Sequence, residues 1–126
     1  MEVSSKDADP MRSDCPGRDL FLLATGKWTL LILWALKSGP RRFHQLRDEV
    51  DGISERVLSA TLKSLRRNGL VMRHVEPSVP PKVSYELTEI GTGLLSVMEG
   101  LTGWIAQELD AVEAAQARYD RENDAA

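Results

Sequence analysis

Residues 28–36 are apolar at every position except Thr29. A helix built from this run has no polar face, so neighbouring elements must enclose it and the rest of the chain has to supply them. The run is far shorter than the ~18 residues a membrane span requires, which makes protein rather than lipid its enclosure. The breakers on either side show how that enclosure is divided. Pro16 suits the first position of a helix, where its missing N–H has no intrahelical partner in any case. Leu20, Phe21, Leu23 and Ala24 give this first helix a short apolar face, and Gly26 ends it. Ser38-Gly39-Pro40 stops the second helix, and residues 43–50 read as a short third with Phe43, Leu46 and Val50 on one side.

Asp51-Gly52-Ile53 is then a turn, and Ser54 can cap a fourth helix by accepting a hydrogen bond from an orphan backbone N–H. Leu58, Leu62 and Leu65 follow at i, i+4 and i+7, which gathers them in one sector and leaves Arg56, Ser59, Ala60, Lys63 and Arg67 on the opposite one. Asn68-Gly69 closes a 3.6-residue period, so it reads as a helix C-cap rather than a hairpin turn. Two strands are predicted over 70–76 and 82–87, the second alternating with Val83, Tyr85 and Leu87 on one face. Between them Pro77-Ser78-Val79-Pro80-Pro81 cannot hold a ladder and forms a stiff tip. Thr88 caps a last helix with a wide stripe of Ile90, Leu94, Val97, Met98, Leu101, Trp104, Ile105, Leu109 and Val112. Gly91, Gly93, Gly100 and Gly103 lie inside it at a propensity cost of ~1 kcal/mol each against Ala, so packing must hold this helix.

The chain of 126 residues, 42% hydrophobic and 28% charged, has the makeup of one ordinary soluble domain, expected over 15–113. Residues 1–14 lack large apolar side chains apart from methionine and valine and read as a disordered tail; 114–126 read as a frayed acidic one. The polar, acidic start does not resemble a signal peptide, and a cytoplasmic location is expected with no membrane partner. A single cysteine, Cys15, with His44 and His74 far from it, implies no internal disulfide, metal or cofactor. No paired carboxylates, Ser/His/Asp set or phosphate loop supports an enzyme; the two histidines read as surface or phosphate-contacting residues. The net charge of −3 hides an asymmetry: eight bases against four acids over 41–74, and seven acids against two bases over 99–126. Such a basic middle suits either a nucleic-acid surface or a merely solvated face.

The order of elements separates the two. Three helices, a helix-turn-helix whose second member has a small, basic outer face, and a proline-stiffened hairpin describe a winged helix-turn-helix domain, mostly α with a small β-hairpin wing. A recognition helix needs short or hydrogen-bonding side chains where it enters the major groove and positive ones at its edges. The candidate DNA-contacting residues are Arg41, Arg42, Ser54, Arg56, Ser59, Ala60, Lys63, Arg67 and Lys82. Among them Arg56 is placed for a guanine, Arg67 for a phosphate, and Lys82, behind Pro80-Pro81, for the minor groove or its phosphates. The alternative is a winged-helix module that binds protein and not DNA.

In these stretches the chain resembles the HxlR family of bacterial winged-helix regulators, relatives of the MarR family, over residues 15–104. The resemblance is carried by Gly26-Lys27-Trp28-Thr29-Leu30-Leu31-Ile32-Leu33, Gly39-Pro40-Arg41-Arg42-Phe43, Gly52-Ile53-Ser54 with Leu58, Leu62 and Leu65, Gly69-Leu70-Val71, and Val79-Pro80-Pro81-Lys82-Val83-Ser84-Tyr85-Glu86-Leu87-Thr88. Thr25 stands where the family usually has the first glycine of Gly-Gly-Lys-Trp. The resemblance implies a homodimeric transcription factor on a pseudo-palindromic DNA operator, its N- and C-terminal helices forming the dimer interface. The candidate dimerisation residues are Leu20, Leu94, Met98, Leu101, Trp104, Ile105 and Leu109; the other account of the last stripe is a helix closing its own core. Cys15, before Pro16, lies at a helix N-terminus whose dipole would favour a thiolate, with Arg18 nearby and Asp14 opposing it. A cysteine here is common in the family, and some members sense oxidants or electrophiles through it; a plain buried thiol is the other reading. Trp28, Trp34 and the last helix could line a pocket for an aromatic small-molecule effector, or simply pack in the core.

Overall fold

The computed structural model describes residues 10–124; residues 1–9 and 125–126, the outer parts of the two expected tails, lie outside the described residues. In chain order the elements are α1 (Pro16–Ala24), α2 (Thr29–Ala35), β1 (Arg41–Arg42), α3 (Phe43–Glu49), α4 (Glu55–Arg67), β2 (Val71–Glu76), β3 (Lys82–Leu87) and α5 (Glu89–Asp124). Two compact units divide the chain, Met1–Leu95 and Ser96–Ala126, with the boundary inside α5.

In the first unit Ile32, Leu33 and Leu36 from the apolar run are buried, as are Leu46 of α3, the leucines of α4 and Leu70, all nearly inaccessible to solvent. The run is not enclosed on every side as its composition demands. Leu31 and Trp34 are 46% and 45% exposed, while Thr29, its one polar residue, is 1% exposed. Side chains leave a two-turn helix in all directions, and the elements packed around α2 cover only part of its circumference. Thr29 can be buried because its hydroxyl donates to the Leu23 carbonyl at 2.6 Å, which satisfies it inside the core. Thr25 caps the C-terminus of α1 with φ −90°, a conformation that needs no glycine, and its hydroxyl donates to Phe21 O at 2.8 Å.

The helix-turn-helix is built by local rules. Gly52 takes the left-handed φ of +86° in the turn, and Ser54 Oγ accepts the Val57 N–H at 3.1 Å to start α4. Leu58, Leu62 and Leu65 are buried along one side of α4, as their spacing requires. At its end the Leu70 N–H donates to Leu65 O and the Gly69 N–H to Arg66 O, with Gly69 at φ +74°. This is a Schellman cap, in which the buried Leu65 and Leu70 lie at the two positions that such caps bring into apolar contact. Replacing the capping hydroxyl, Ser54→Ala, is expected to lower stability by about 1 kcal/mol in a urea titration, without loss of helix content.

The wing holds more than a hairpin. β2 and β3 pair antiparallel from Val71↔Leu87 to Glu76↔Lys82, and β1 adds itself to the other edge of β3 through Arg41↔Tyr85 and Arg42↔Ser84, giving the order β1-β3-β2. Two residues after a proline carry no alternating pattern, so this strand exists only through its partner. With a neighbour on each side, β3 is half-buried from Val83 to Leu87 instead of alternating cleanly.

Thr88 joins α5 to the end of α4: its hydroxyl accepts the Gly91 N–H at 3.0 Å and donates to the Gly69 carbonyl, and its N–H donates to Leu70 O at 3.2 Å. The buried residues of α5 are Gly91 and Leu95, whereas Ile90 and Val97, taken from the sequence as part of the apolar stripe, are exposed. Gly91 is there because α5 passes so close to Leu70 that a Cβ would overlap its carbonyl. In the second unit α5 continues through 114–124, where the sequence reading places a frayed tail. That segment has no apolar period to reveal it, but Ala, Glu, Gln and Arg are strong helix formers. Among the described residues no helix is long and apolar enough to cross a membrane, and the residues before α1 form a turn in which the Cys15 N–H reaches Arg12 O at 3.2 Å.

Candidate nucleic-acid interface

The face of α4 opposite its buried leucines carries Arg56, Ala60, Lys63 and Arg67 in solvent, with Ser59 half-buried beside them. None of the three cations is in an ion pair with a described residue. The nearby carboxylates, by contrast, are mostly taken. Arg47 of α3 donates to Glu55 at 2.6 Å and to Asp48 at 3.4 Å, Arg41 donates to Glu49 at 3.2 Å, and His74 meets Glu86 at 2.7 Å across the wing strands. The Glu55 carboxylate, followed by that of Asp48, holds Arg47 above the usual arginine range, and the pair ties α3 to the first turn of α4. Most acids near this surface are thus matched within the chain while the α4 cations are left for an external anion, since only counterions or a polyanion can neutralise them.

The other candidates are distributed less evenly. Arg56 lies in the first turn of α4 and Arg67 in the last, consistent with a helix that enters a groove by its N-terminal end. Ser54 is spent on capping: its oxygen already accepts the Val57 N–H. Arg41 is drawn away from solvent by Glu49 and by the Pro40 carbonyl at 3.0 Å, so its charge is matched where the sequence left it available. Arg42 is exposed at the start of α3, its backbone N–H donating to Gln45 Oε1 at 2.8 Å. Lys82 is exposed at the base of the wing tip, opposite Glu76 in the ladder.

Beside α4, a groove of about 530 Å³ runs against β2, lined by Lys63, Arg66, Arg67, Val71, Met72 and Arg73. Arg66 and Arg73 are absent from the candidate set drawn from the sequence. Arg66 falls only ~40° around the helix from the buried Leu62, on the flank rather than the outer sector, and Arg73 joins it only because β2 folds back along α4. A local excess of arginine over 66–73 was the available signal.

Two further candidates look different in the fold. Cys15 is the N-cap residue of α1, as Pro16 suggests, but it is 7% exposed. Asp14 is engaged by Arg12 at 3.1 and 3.2 Å, which holds its carboxyl below the usual range, and the Arg18 guanidinium donates to Met11 O at 3.4 Å. The aromatic pocket is rearranged. A cavity of about 380 Å³ is lined by Leu31, Trp34, Ala35, Glu49, Val50 and Asp51, and Trp28 is not part of it. Trp28 lies instead beneath the Lys27 ammonium, 4.8 Å from the ring centroid.

Comparison with known proteins agrees with this architecture. The family model for HxlR-like helix-turn-helix proteins matches residues 23–113. YtfH of Escherichia coli strain K12, an HTH-type transcriptional regulator, is 35% identical over 116 residues, covering 92% of this chain and 90% of that protein. The solved structure of YtfH from Salmonella typhimurium superposes with a TM-score of 0.78 at 35% identity, over 86% of this chain and 97% of its own. The transcriptional regulator YodB of Bacillus subtilis, solved in its reduced form, gives a TM-score of 0.65 at 38% identity, over 74% of this chain and 92% of its own. The diamide-treated form of YodB is similar to the same degree, with a TM-score of 0.65. A match over most of the chain leaves one assignment: the chain belongs to the HxlR-like helix-turn-helix family, a family of transcriptional regulators and not of enzymes.

Proposed function

We propose that the protein regulates transcription from the cytoplasm by binding a pseudo-palindromic operator as a homodimer, with α4 in the major groove and the β2–β3 tip at the adjacent minor groove. The observation that carries this reading is the unmatched basic face of α4 set against its buried leucines. The winged-helix protein-binding alternative has no such feature in its favour. Fluorescence anisotropy of the protein against duplexes from its own upstream intergenic region, titrated across a salt series, tests it. Saturable binding that exceeds binding to a scrambled duplex supports the reading. Equal affinity for both removes the regulator from it.

Within that interface Arg56 is assigned to a base and Arg67 to a phosphate. Arg56→Ala is expected to cost about 1–3 kcal/mol and to relax preference at one operator position, while Arg67→Ala weakens all duplexes alike and lowers the salt slope by about one. Matched, specificity-neutral losses in both variants would exchange this assignment for a purely electrostatic one.

The homodimer is supported by exposed apolar side chains on α1, including Leu20, and along α5, from Leu101 and Trp104 to Ile105 and Leu109. Gly100 and Gly103 have nothing within 4 Å of a built Cβ, which leaves room for a second helix. Leu94 and Met98 are half-buried in the single chain and would contribute less new area.

Cys15 is the candidate thiol sensor, a role supported by similarity to YodB, whose structures include a reduced and a diamide-treated form. With one cysteine per chain, a disulfide would join Cys15 to a second chain or to a small thiol, and because Cys15 is buried its thiol must first become exposed. Diamide should therefore change operator affinity in the wild type and leave Cys15→Ser unaffected. The cavity beside Trp34 is the candidate site for a small-molecule effector, because it abuts the α3–α4 turn.

A further inference from the structure

We infer that the groove between α4 and β2 seats the sugar-phosphate strand that separates the operator's major and minor grooves, and that Arg66 and Arg73 clamp it there. The inference rests on the proposed DNA-binding function and assigns it two residues. Four cationic side chains, Lys63, Arg66, Arg67 and Arg73, converge on one groove, and none of them has an ion-pair partner among the described residues. The nearest acid on the adjoining strand, Glu86, is held by His74 at 2.7 Å and is not available to them. Cations gathered without counter-charges repel one another, and an anion in the groove relieves that repulsion.

Two properties favour a phosphodiester strand over a single small oxyanion. At roughly 30 Å³ per water, a groove of about 530 Å³ holds a hydrated stretch of backbone rather than one desolvated ion. Its position also matches the topology of a wing: a duplex that receives α4 in one groove and the β2–β3 tip in the next must pass the intervening strand between them. Val71 and Met72 supply an apolar floor against which arginine stems can lie while the guanidinium heads face the phosphates. Planar guanidinium forks suit two phosphate oxygens at once, and contacts of this kind position the protein without reading sequence.

The test is the double variant Arg66→Ala/Arg73→Ala beside Arg66→Lys/Arg73→Lys, both checked for an unchanged melting transition. Affinity for operator and scrambled duplex is measured by anisotropy from low to physiological salt, and tripolyphosphate binding by calorimetry. Each lost phosphate contact lowers the slope of log affinity against log salt by about 0.9, so the alanine pair should lower it by roughly two. Affinity should fall roughly tenfold per arginine, equally for both duplexes, and the lysine pair should keep most of the slope. If the wild type binds no duplex, the proposed function itself fails. A wild type that binds while the alanine pair keeps its slope and affinity overturns only the groove assignment, as does a change in base preference. Loss of tripolyphosphate binding with duplex binding intact also overturns it, since the groove would then serve a free anion.

Discussion

Leu101→Glu is expected to convert the proposed dimer into a monomer and to remove operator binding in the same step. Leu101 is 53% exposed in the single chain, and Trp104, Ile105, Leu109 and Val112 follow it with comparable exposure over three turns of α5. Glutamate has nearly the helix propensity of leucine and would stand in water in a monomer, so the isolated chain should lose little stability. In a two-fold interface the same carboxylate is buried twice without a partner, at about 3–5 kcal/mol each, or roughly a hundred- to several-thousand-fold in the dimer equilibrium per site. A single α4 on a half-site lacks the effective concentration that a tethered pair enjoys, and binding to the full operator should fall with the dimer. Light scattering and anisotropy on one preparation decide it. A wild type that is monomeric at micromolar concentration, or a monomeric variant with undiminished operator affinity, removes the dimer from the mechanism.

Gly91→Ala should be the most damaging single methyl in the first unit. The added Cβ would overlap Leu70 O, with Leu70 C at 2.9 Å, and both are backbone atoms fixed by the Schellman cap of α4. Relief requires the start of α5 to move outward. That movement strains the Thr88 N–H bond to Leu70 O and the Thr88 hydroxyl bond to Gly69 O. Overpacking of about 1–3 kcal/mol with two weakened hydrogen bonds at about 1 kcal/mol each gives a loss of about 3–5 kcal/mol. For a unit of this size the melting midpoint should then fall by on the order of 15–25 °C. Gly93→Ala is the control: nothing lies within 4 Å of its Cβ position, so it should gain up to ~1 kcal/mol of helix propensity. Equal midpoints for the two variants would show that α5 does not approach Leu70 closely.

What could be read in advance was whatever a short stretch of chain decides alone. Ser54, the Leu58–Leu62–Leu65 spacing and Gly69 settle where α4 begins, which side it buries and how it stops, and each is found there in the fold. The proline-bounded strands were legible for the same reason. Features made by two distant segments were not. β1 is a strand only because β3 lies beside it, Gly91 is needed only because α5 crosses Leu70, and Arg73 reaches α4 only through the turn of the chain at Gly69. Side-chain pairing was equally hidden: Arg41 looks available until Glu49, one helix later, accepts from it. Composition misled at α2, where apolarity all round suggested full enclosure yet Leu31 and Trp34 reach solvent and Thr29 does not. Burial follows what a side chain can be paired and packed with, and Thr29 has the Leu23 carbonyl.

Hydroxyl-radical footprinting of the wild-type protein on its operator tests most directly that two copies of α4 read one DNA site. Two protected segments related by a dyad are expected, centred about 10–10.5 base pairs apart or a multiple of that spacing, and both should vanish together with Leu101→Glu. One protected segment at a stoichiometry of one chain per duplex, or protection spread evenly along any DNA supplied, would contradict the account.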